Sequence, residues 1–275
     1  MSGRVDTRTY VLGHSGRELA RLERQGQLFA QATEDVLTSA GLKPGMRVLD
    51  IGCGVGDVSL LAARIVGREG SVQGVDRSDD ALEMARQRAF ANGISWVRFD
   101  NADINALRVD EPFDAVTGRF ILLYFADPVA VLNNLIRLVR PGGILAFLEM
   151  DISAARVEPP MALFEQAAGW ITGVYRRVAI EPDMGSKLAS SFFAAGLAPS
   201  LLGTSRVEEG SDAYAYEYVA ETVRSLLPRI IEFGLATEAE VDVDTLADRL
   251  REAALTGRHR FTLPRLVGAW SRTAV

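Results

Sequence analysis

A short apolar run leads into three closely spaced glycines at residues 48–57, which have the sequence VLDIGCGVGD. An apolar run of this length is typical of a parallel strand that is buried on both faces. Glycines directly after such a strand let the backbone approach a ligand closely, because a Cβ atom would collide with it. The stretch therefore predicts a strand, a ligand-binding turn and the start of a helix.

The segments on both sides of this turn alternate between strands and helices. The predicted strands lie at residues 46–51, 71–76, 96–99, 113–117 and 144–150. The predicted helices between them lie at residues 58–66, with Asp57 as the N-cap, 80–91 and 127–139, and residues 141–143 form a turn. This alternation indicates a parallel sheet with right-handed crossovers.

The rest of the chain departs from that rhythm. Helices are predicted at residues 8–40, 159–178, 184–195, 213–233 and 243–255, and strands at 201–207 and 266–272. We therefore expect a helical arm or lid at 1–40 and a ligand-binding core at 41–154. Residues 155–275 then complete the sheet within the same globular unit and add cap helices at 155–180 and 211–257.

Composition limits the partners of this chain. Its 275 residues include 36 acidic and 30 basic ones, for a formal net charge of −6, and no dense basic run occurs. Nucleic-acid binding usually needs a basic surface, so we expect no nucleic-acid partner. The single cysteine excludes an internal disulfide. No apolar run reaches the roughly 18 residues of a membrane span. We therefore expect a cytoplasmic protein with no membrane partner.

The details of the glycine turn select the kind of ligand. A dinucleotide turn needs a third glycine where this chain has Asp57. A carboxylate at a helix N-terminus would repel a pyrophosphate, and no Gly-Lys-Ser/Thr sequence follows for a phosphate loop. Asp50 and Asp57 instead place negative charge on both sides of the turn, which favours a positively charged ligand.

Two further acids follow the next strands of the predicted sheet. Asp76 ends the second strand, where a carboxylate can accept hydrogen bonds from ribose hydroxyls. Asp103 follows the third strand and could accept from an adenine amine, with the Ile104 N–H facing a ring nitrogen. Open α/β sheets bind ligands at the carboxyl ends of their strands. These acids therefore predict a site for a cationic nucleoside.

Five segments resemble the motifs of the class I S-adenosylmethionine-dependent methyltransferases. They are VLDIGCGVG at 48–56, GVDRS at 74–78, NADI at 101–104, FDAVTGR at 113–119 and LVRPGG at 138–143. Ala102 stands where many members have glycine, and YVLGHS at 10–15 resembles the opening of a bacterial subgroup with small-molecule substrates. The resemblance implies a Rossmann-like α/β fold. Its seven-stranded, mostly parallel sheet has helices on both faces, a helical cap over the strand carboxyl ends and an antiparallel last strand, which residues 266–272 would supply.

The resemblance also implies S-adenosylmethionine as the cofactor and a set of residues that hold it. They are Gly52, Gly54 and Gly56 around the methionine end, Asp50 and the backbone near Arg119 at the amino end, Asp76 at the ribose, Arg77 over the adenine, Asp103 and Ile104 at the adenine edge, and Tyr10 closing over the cofactor. From the residues alone, Arg119 could equally be an ion-pair partner.

Three residues are candidates for work on the acceptor. His14 lies in the arm and could act as a general base near neutral pH, whereas Tyr124 and Glu149 lie near strand ends and could orient a substrate. A buried Glu149 would need a partner, for which we expect Arg119 or Arg176. Five aromatic residues could line a pocket or pack the cap against the sheet: Trp170, Tyr175, Tyr214, Tyr216 and Tyr218. Of these two roles, packing is favoured. No cluster has metal-ligand spacing, so no metal is expected.

The function implied is transfer of a methyl group to O, N or C of a small-molecule acceptor. Methyl transfer by in-line displacement under a lid needs mainly positioning of the two reactants. Two alternatives stay open, a methyltransferase acting on protein or RNA, and a cofactor-binding scaffold that acts as a cyclase without methyl transfer. We expect a monomer or a homodimer.

Overall fold

The computed structural model describes residue 24, residues 26–104 and residues 106–274. The helices are α1 (Ala30–Ala40), α2 (Asp57–Val66), α3 (Asp79–Ala91), α4 (Pro128–Ile136), α5 (Ala162–Arg177), α6 (Met184–Ala194), α7 (Ala215–Glu232), α8 (Glu238–Val241) and α9 (Leu246–Gly257). The strands are β1 (Arg47–Ile51), β2 (Ser71–Asp76), β3 (Val97–Asn101), β4 (Phe113–Arg119), β5 (Val139–Asp151), β6 (Arg156–Glu158), β7 (Ser200–Thr204), β8 (Val207–Glu208), β9 (Arg260–Thr262) and β10 (Arg265–Arg272). Short 3₁₀ turns occupy Leu122–Tyr124 and Ile152–Ala154.

Seven strands form the main sheet in the order β3-β2-β1-β4-β5-β10-β7. The first five of these pair in parallel, whereas β10 runs antiparallel to both β5 and β7. The strand order reverses between β1 and β4, and open α/β sheets bind their ligands at such a switch point. The predicted α/β fold with a seven-stranded, mostly parallel sheet is confirmed.

Helices cover both faces of this sheet. On one face, Val48 of β1 shares an apolar cluster with Leu37 of α1 and Leu82 of α3. On the other, Ile51 packs with residues of α4 and α6 such as Leu132. Successive strand residues point to opposite faces, so a strand buried on both sides needs the nearly unbroken apolar run seen in the sequence.

A third apolar cluster lies at the carboxyl edge of the sheet. It combines residues of α5, α7 and α9 and meets the sheet at Met150 of β5 and Leu266 of β10. A small sheet in the order β6-β9-β8 adds Phe261 to the cluster. Among the described residues, no helix is both long and apolar enough to cross a membrane.

Several predicted boundaries differ from the structure. Residues 201–207 form two strands, because β7 pairs with β10 in the main sheet and β8 pairs with β9 in the small one. Residues 141–143 belong to β5, where the pairing register with β4 shifts, rather than to a turn outside the sheet. The helix predicted at 127–139 ends at Ile136, since Val139 already pairs with Phe113. The part of the 8–40 helix before residue 24 lies outside the described residues.

Candidate active site

A cavity of about 1190 Å³ follows the carboxyl ends of the strands. Its loop half is lined by residues of the turns after β1, β2 and β3, among them Gly52, Gly54, Asp76, Arg77, Asp103 and Ile104. Its helix half is lined by residues of α5, α7 and the segment before β10, among them Phe164, Ala168, Ile171, Tyr175, Tyr218, Val219 and Leu263. Pockets for one small ligand usually occupy about 300–1,000 Å³, so this cavity is larger than a usual pocket for one ligand.

The three positions after β1 require glycine for different structural reasons. All of them have positive φ, which other residues rarely adopt. A Cβ atom at Gly52 would lie 2.5 Å from Cδ1 of Ile121, and one at Gly56 would lie 3.0 Å from Cβ of Ala85. A Cβ at Gly54 would meet no atom within 4 Å, so this glycine leaves space in the cavity. Gly56 lies outside the cavity lining and packs the turn against α3.

Asp76 connects the glycine turn to the end of β2. Its Oδ2 accepts a hydrogen bond from the Gly54 N–H at 2.8 Å, and its Oδ1 accepts one from the Ser78 N–H at 2.9 Å. The N-cap of α3 is Ser78, whose hydroxyl accepts from the Ala81 N–H. Asp76 is therefore held by main-chain donors, and its carboxylate borders the cavity.

Arg77 and Asp103 form an ion pair across the loop half. The Arg77 Nη2 lies 2.6 Å from the Asp103 Oδ2, and both side chains are about half exposed, at 51% and 44%. Ile104 lines the cavity next to this pair. The turns after β2 and β3 therefore bring these three predicted residues together at one wall of the loop half.

Asp50 is buried beneath the turn, outside the cavity lining. Its Oδ2 accepts a hydrogen bond from the Ser59 hydroxyl at 2.6 Å, whereas its Oδ1 has no partner among the described residues. Burial raises the pKa of this carboxyl to about 7, against the opposing effect of the Ser59 hydrogen bond. A donor reaching Oδ1 would lower the cost of keeping this group ionised.

Asp57 has a different role from the one that the sequence predicts. It is the first residue of α2, the N-cap is Gly56, and no side-chain capping bond forms. Its carboxylate instead lies 3.0 Å from the Arg119 Nη2 and 2.8 Å from the Arg88 Nη1. Two arginines compete better than one backbone amide for a carboxylate, because both interactions are charge-assisted.

Arg119 ties this ion pair to α1. Its side chain is 8% exposed, and its Nη1 donates to the Thr33 hydroxyl at 3.0 Å. A Cβ atom at Gly26 would lie 2.1 Å from the Asp57 Oδ2, so the backbone there passes close to the carboxylate. Arg119 also lines the cavity. The arginine is therefore a buried ion-pair partner at the border of the site.

Comparison with known proteins identifies the domain. A family profile described as a methyltransferase domain matches residues 42–176. The 2-phytyl-1,4-naphtoquinone methyltransferase of Synechococcus elongatus is 43% identical over 112 residues, which cover 39% of this chain and 47% of the relative. The ubiquinone/menaquinone biosynthesis C-methyltransferase UbiE of Shewanella piezotolerans is 32% identical over 162 residues, covering 54% and 64%. These matches span about half to just under two thirds of the relatives.

Residues 42–176 therefore form a methyltransferase domain, in agreement with the resemblance to the class I S-adenosylmethionine-dependent methyltransferases. Solved structures of low identity share its fold. The YcgJ protein of Bacillus subtilis is 19% identical, with a TM-score of 0.58 and coverage of 89% of this chain and 99% of that protein. The [4+2]-cyclase SpnF is 22% identical, with a TM-score of 0.53 and coverage of 90% and 82%. At these identities the likeness concerns the fold alone.

Glu149 has neither of the expected partners. Its Oε1 accepts hydrogen bonds from the N–H groups of Ile121 and Leu122, at 2.9 and 2.7 Å, rather than from Arg119 or Arg176. The side chain is fully buried, its Oε2 has no partner among the described residues, and burial raises its pKa to about 8. Glu149 does not belong to the cavity lining and instead supports the turn after β4.

The other candidates for acceptor work have mixed outcomes. Tyr124, the last residue of the first 3₁₀ turn, lines the cavity. His14 and Tyr10 lie outside the described residues, so their roles remain predictions. Of the five aromatic residues, Tyr175 and Tyr218 line the helix half, whereas Trp170 and Tyr216 are buried in the third apolar cluster, at the carboxyl edge of the sheet. No group of three or more His, Cys, Asp or Glu side chains in the described part of the chain is arranged for a metal ion.

Several lining residues have no signal in the sequence. Phe120 has a φ of +56°, which is unusual for an aromatic residue, and the turn that it begins faces the cavity. Arg177, Glu181 and Arg229 also line the helix half. Helical periodicity predicts α5 and α7 as amphipathic helices, but it does not say which side of each helix meets a ligand.

Proposed function

We propose that this methyltransferase moves a methyl group from S-adenosylmethionine to an O, N or C atom of a small-molecule acceptor. The observation that carries the proposal is that the loop half and the helix half belong to one cavity of about 1190 Å³. A cofactor in one half and an acceptor in the other would meet without crossing solvent. Such an arrangement is what a bimolecular displacement needs.

Residues of the loop half are assigned to the cofactor. The space beside Gly54 admits the methionine end, and Asp76 presents its carboxylate to the ribose hydroxyls. Asp103 and Ile104 would read the adenine edge, and Arg77 would cover the ring after leaving its ion pair. Asp50 lies outside the lining, so its unpartnered Oδ1 would meet the amino end through a bridging water, and Gly52, Gly56 and Arg119 shape the same region.

The bound cofactor supplies a methyl group that is already activated on a positively charged sulfur. The residues of the chain then have to bind and orient the acceptor, and holding two reactants at near-attack distance contributes roughly 7–11 kcal/mol. Tyr124 is the described residue that we assign to acceptor orientation, with His14 as a general base if the acceptor must lose a proton. The helices at 155–180 and 211–257, with the arm at 1–40, would exclude water.

The helix half favours an apolar acceptor. Its wall carries Phe164, Ile171 and Val219, and apolar walls with a few polar groups are typical of small-molecule sites. The relatives named above are quinone methyltransferases by name. We therefore propose that the acceptor has an apolar ring. We also propose that the enzyme is cytoplasmic, is a monomer or a homodimer, and has no nucleic-acid or membrane partner.

Incubation with methyl-labelled S-adenosylmethionine and a panel of phenols, quinols, amines and carboxylic acids tests this function. We expect label in an acceptor and one equivalent of S-adenosylhomocysteine for each product. Acceptor conversion without S-adenosylhomocysteine would favour the cyclase alternative, which the fold of SpnF also permits. Label transferred only to a protein or RNA would favour the macromolecular alternative.

A further inference from the structure

We propose that the acceptor carries an anionic group, such as a carboxylate, phosphate or sulfonate, and that Arg177 binds this group at the rim of the helix half. The inference rests on the proposed function, because it adds a chemical feature to the acceptor. It assigns a role to an arginine at the end of α5, a residue that belongs neither to the glycine turn nor to the acids at the strand ends.

Arg177 lies where the cavity meets solvent. It is the last residue of α5, it is exposed, and it lines the cavity together with Tyr175 and Ile171 of the same helix. Its Nη1 donates to the Gly173 carbonyl at 3.3 Å, and its Cζ lies 5.9 Å from the centre of the Phe233 ring. Phe233 directly follows α7, so the guanidinium lies between the ends of the two helices that enclose the helix half.

The other charged residues of the cavity lining already have partners. These interactions are Asp57 with Arg88 and Arg119, Asp76 with two backbone N–H groups, Arg77 with Asp103, Glu181 with Lys187, and Arg229 with Glu232. Among the described residues, Arg177 has no carboxylate partner. A guanidinium has five N–H donors, and its planar fork matches the oxygens of a carboxylate or phosphate.

The surroundings of Arg177 indicate an acceptor rather than the cofactor. Other lining residues of the same helix, Ala168, Ile171 and Tyr175, offer apolar surface for a ring or chain. By contrast, the lining arginines nearer the glycine turn, Arg77 and Arg119, are engaged by carboxylates. An amphipathic acceptor would therefore bury its apolar body between α5 and α7 and leave its charged end at Arg177.

Two fluorescent probes test this without any need for turnover. The anionic probe is 8-anilinonaphthalene-1-sulfonate, and N-phenyl-1-naphthylamine has the same rings without the sulfonate. Titrations are made with saturating S-adenosylhomocysteine on the whole chain. For Arg177→Gln we expect the Kd of the sulfonate to rise about three- to tenfold and the Kd of the neutral probe to stay within about twofold.

Two further variants make the result specific. Arg176 is the exposed neighbour that does not line the cavity, so Arg176→Gln should change neither Kd. Ala168→Phe fills the apolar wall and should weaken both probes. At least one of the two anionic competitors, decanoate and decyl phosphate, should displace the sulfonate probe. Decanol, which has a chain of the same length and no charge, should displace it more weakly.

The proposal is overturned if Arg177→Gln and Arg176→Gln have equal effects on the sulfonate, or if Arg177→Gln weakens the neutral probe equally. Unchanged binding in Ala168→Phe would also overturn it, because the probes would then lie outside the cavity. Calorimetry with S-adenosylhomocysteine reports separately on the proposed function. No binding there, with the probe selectivity intact, would contradict methyl transfer but not the anion site.

Discussion

The two halves of the cavity are built in different ways. The loop half comes from one continuous part of the chain, residues 50–104, in which each contact lies within a few residues of a strand end. The helix half is assembled from α5, α7 and the segment before β10, which are far apart in the sequence. Main-chain hydrogen bonds hold the loop half in place, and side-chain packing shapes the helix half. Substitutions should therefore separate cofactor binding from acceptor binding.

The largest effect is expected at Asp76. Replacing it by alanine removes the acceptor for the Gly54 and Ser78 amides and the proposed ribose contact, so the Kd of S-adenosylhomocysteine should rise about 30- to 100-fold, or roughly 2–3 kcal/mol. Isothermal titration calorimetry measures this change. Asp80→Ala is the matched control, since Asp80 is exposed outside the cavity. Equal affinity in Asp76→Ala and wild type would remove Asp76 from the cofactor site.

Glu149 lies outside the cavity lining and supports the turn that contains Ile121. Glu149→Leu leaves two amides without their acceptor, so the free energy of unfolding should fall by roughly 2–3 kcal/mol, as measured by urea denaturation. Glu149→Gln keeps an acceptor oxygen and should retain most of that stability. If the leucine variant is as stable as the glutamine variant, the two hydrogen bonds do not hold the turn.

The same residue predicts a pH dependence of stability. Burial raises the pKa of the Glu149 carboxyl from its ordinary value of 4.5 to about 8 in the folded protein, so the folded state holds an extra proton between these values. The contribution to stability is complete below about pH 4.5 and is lost as the pH rises through about 8. Denaturation at several pH values should show a smaller decline for Glu149→Gln than for wild type. Parallel curves would contradict the raised pKa.

A substitution in the helix half should weaken acceptor binding and leave cofactor binding unchanged, which is the opposite of the effect expected for Asp76→Ala. Ala168→Phe places a ring in the apolar wall, so kcat/KM for an acceptor should fall about tenfold while the Kd of S-adenosylhomocysteine stays within about twofold. Steady-state kinetics and calorimetry on the same preparation give both numbers. A parallel loss of cofactor affinity would mean that the two halves are not separate binding regions.

The smallest effect is expected at Arg77. Its half-exposed guanidinium would lie over the adenine ring, and cation–π contacts at exposed sites contribute roughly 0.5–1 kcal/mol. Arg77→Ala should therefore change the Kd of S-adenosylhomocysteine by no more than about fivefold, with a weaker effect at high salt. A change as large as that of Asp76→Ala would show that the arginine binds the cofactor more strongly than an exposed side chain can.

The difference between the halves also explains what the sequence could predict. The glycine turn, Asp76 and the sheet follow from local patterns, because strand ends in a parallel sheet meet at one edge. The roles of Asp57 and Glu149 depend on groups distant in the chain, Arg119 in one case and the Ile121 and Leu122 amides in the other. Residue spacing carries no information on such contacts.

Short pairing segments were missed for a related reason. The segment at 201–207 has strand character throughout, but its two ends pair in different sheets. β6 and β9 have only three residues each, too few for a periodic signal. The sequence names Tyr124, Tyr175 and Tyr218 as candidates on the acceptor side, but the faces of α5 and α7 that line the helix half depend on packing and could not be predicted.

A crystal structure of the complex with S-adenosylhomocysteine would show whether the cofactor occupies the loop half. We expect the ribose hydroxyls on Asp76, the adenine beside Asp103 and Ile104, and the sulfur facing the cavity wall formed by α5 and α7. An adenine bound among the apolar residues of α5 and α7, or a sulfur that faces away from the helix half, would contradict this expectation.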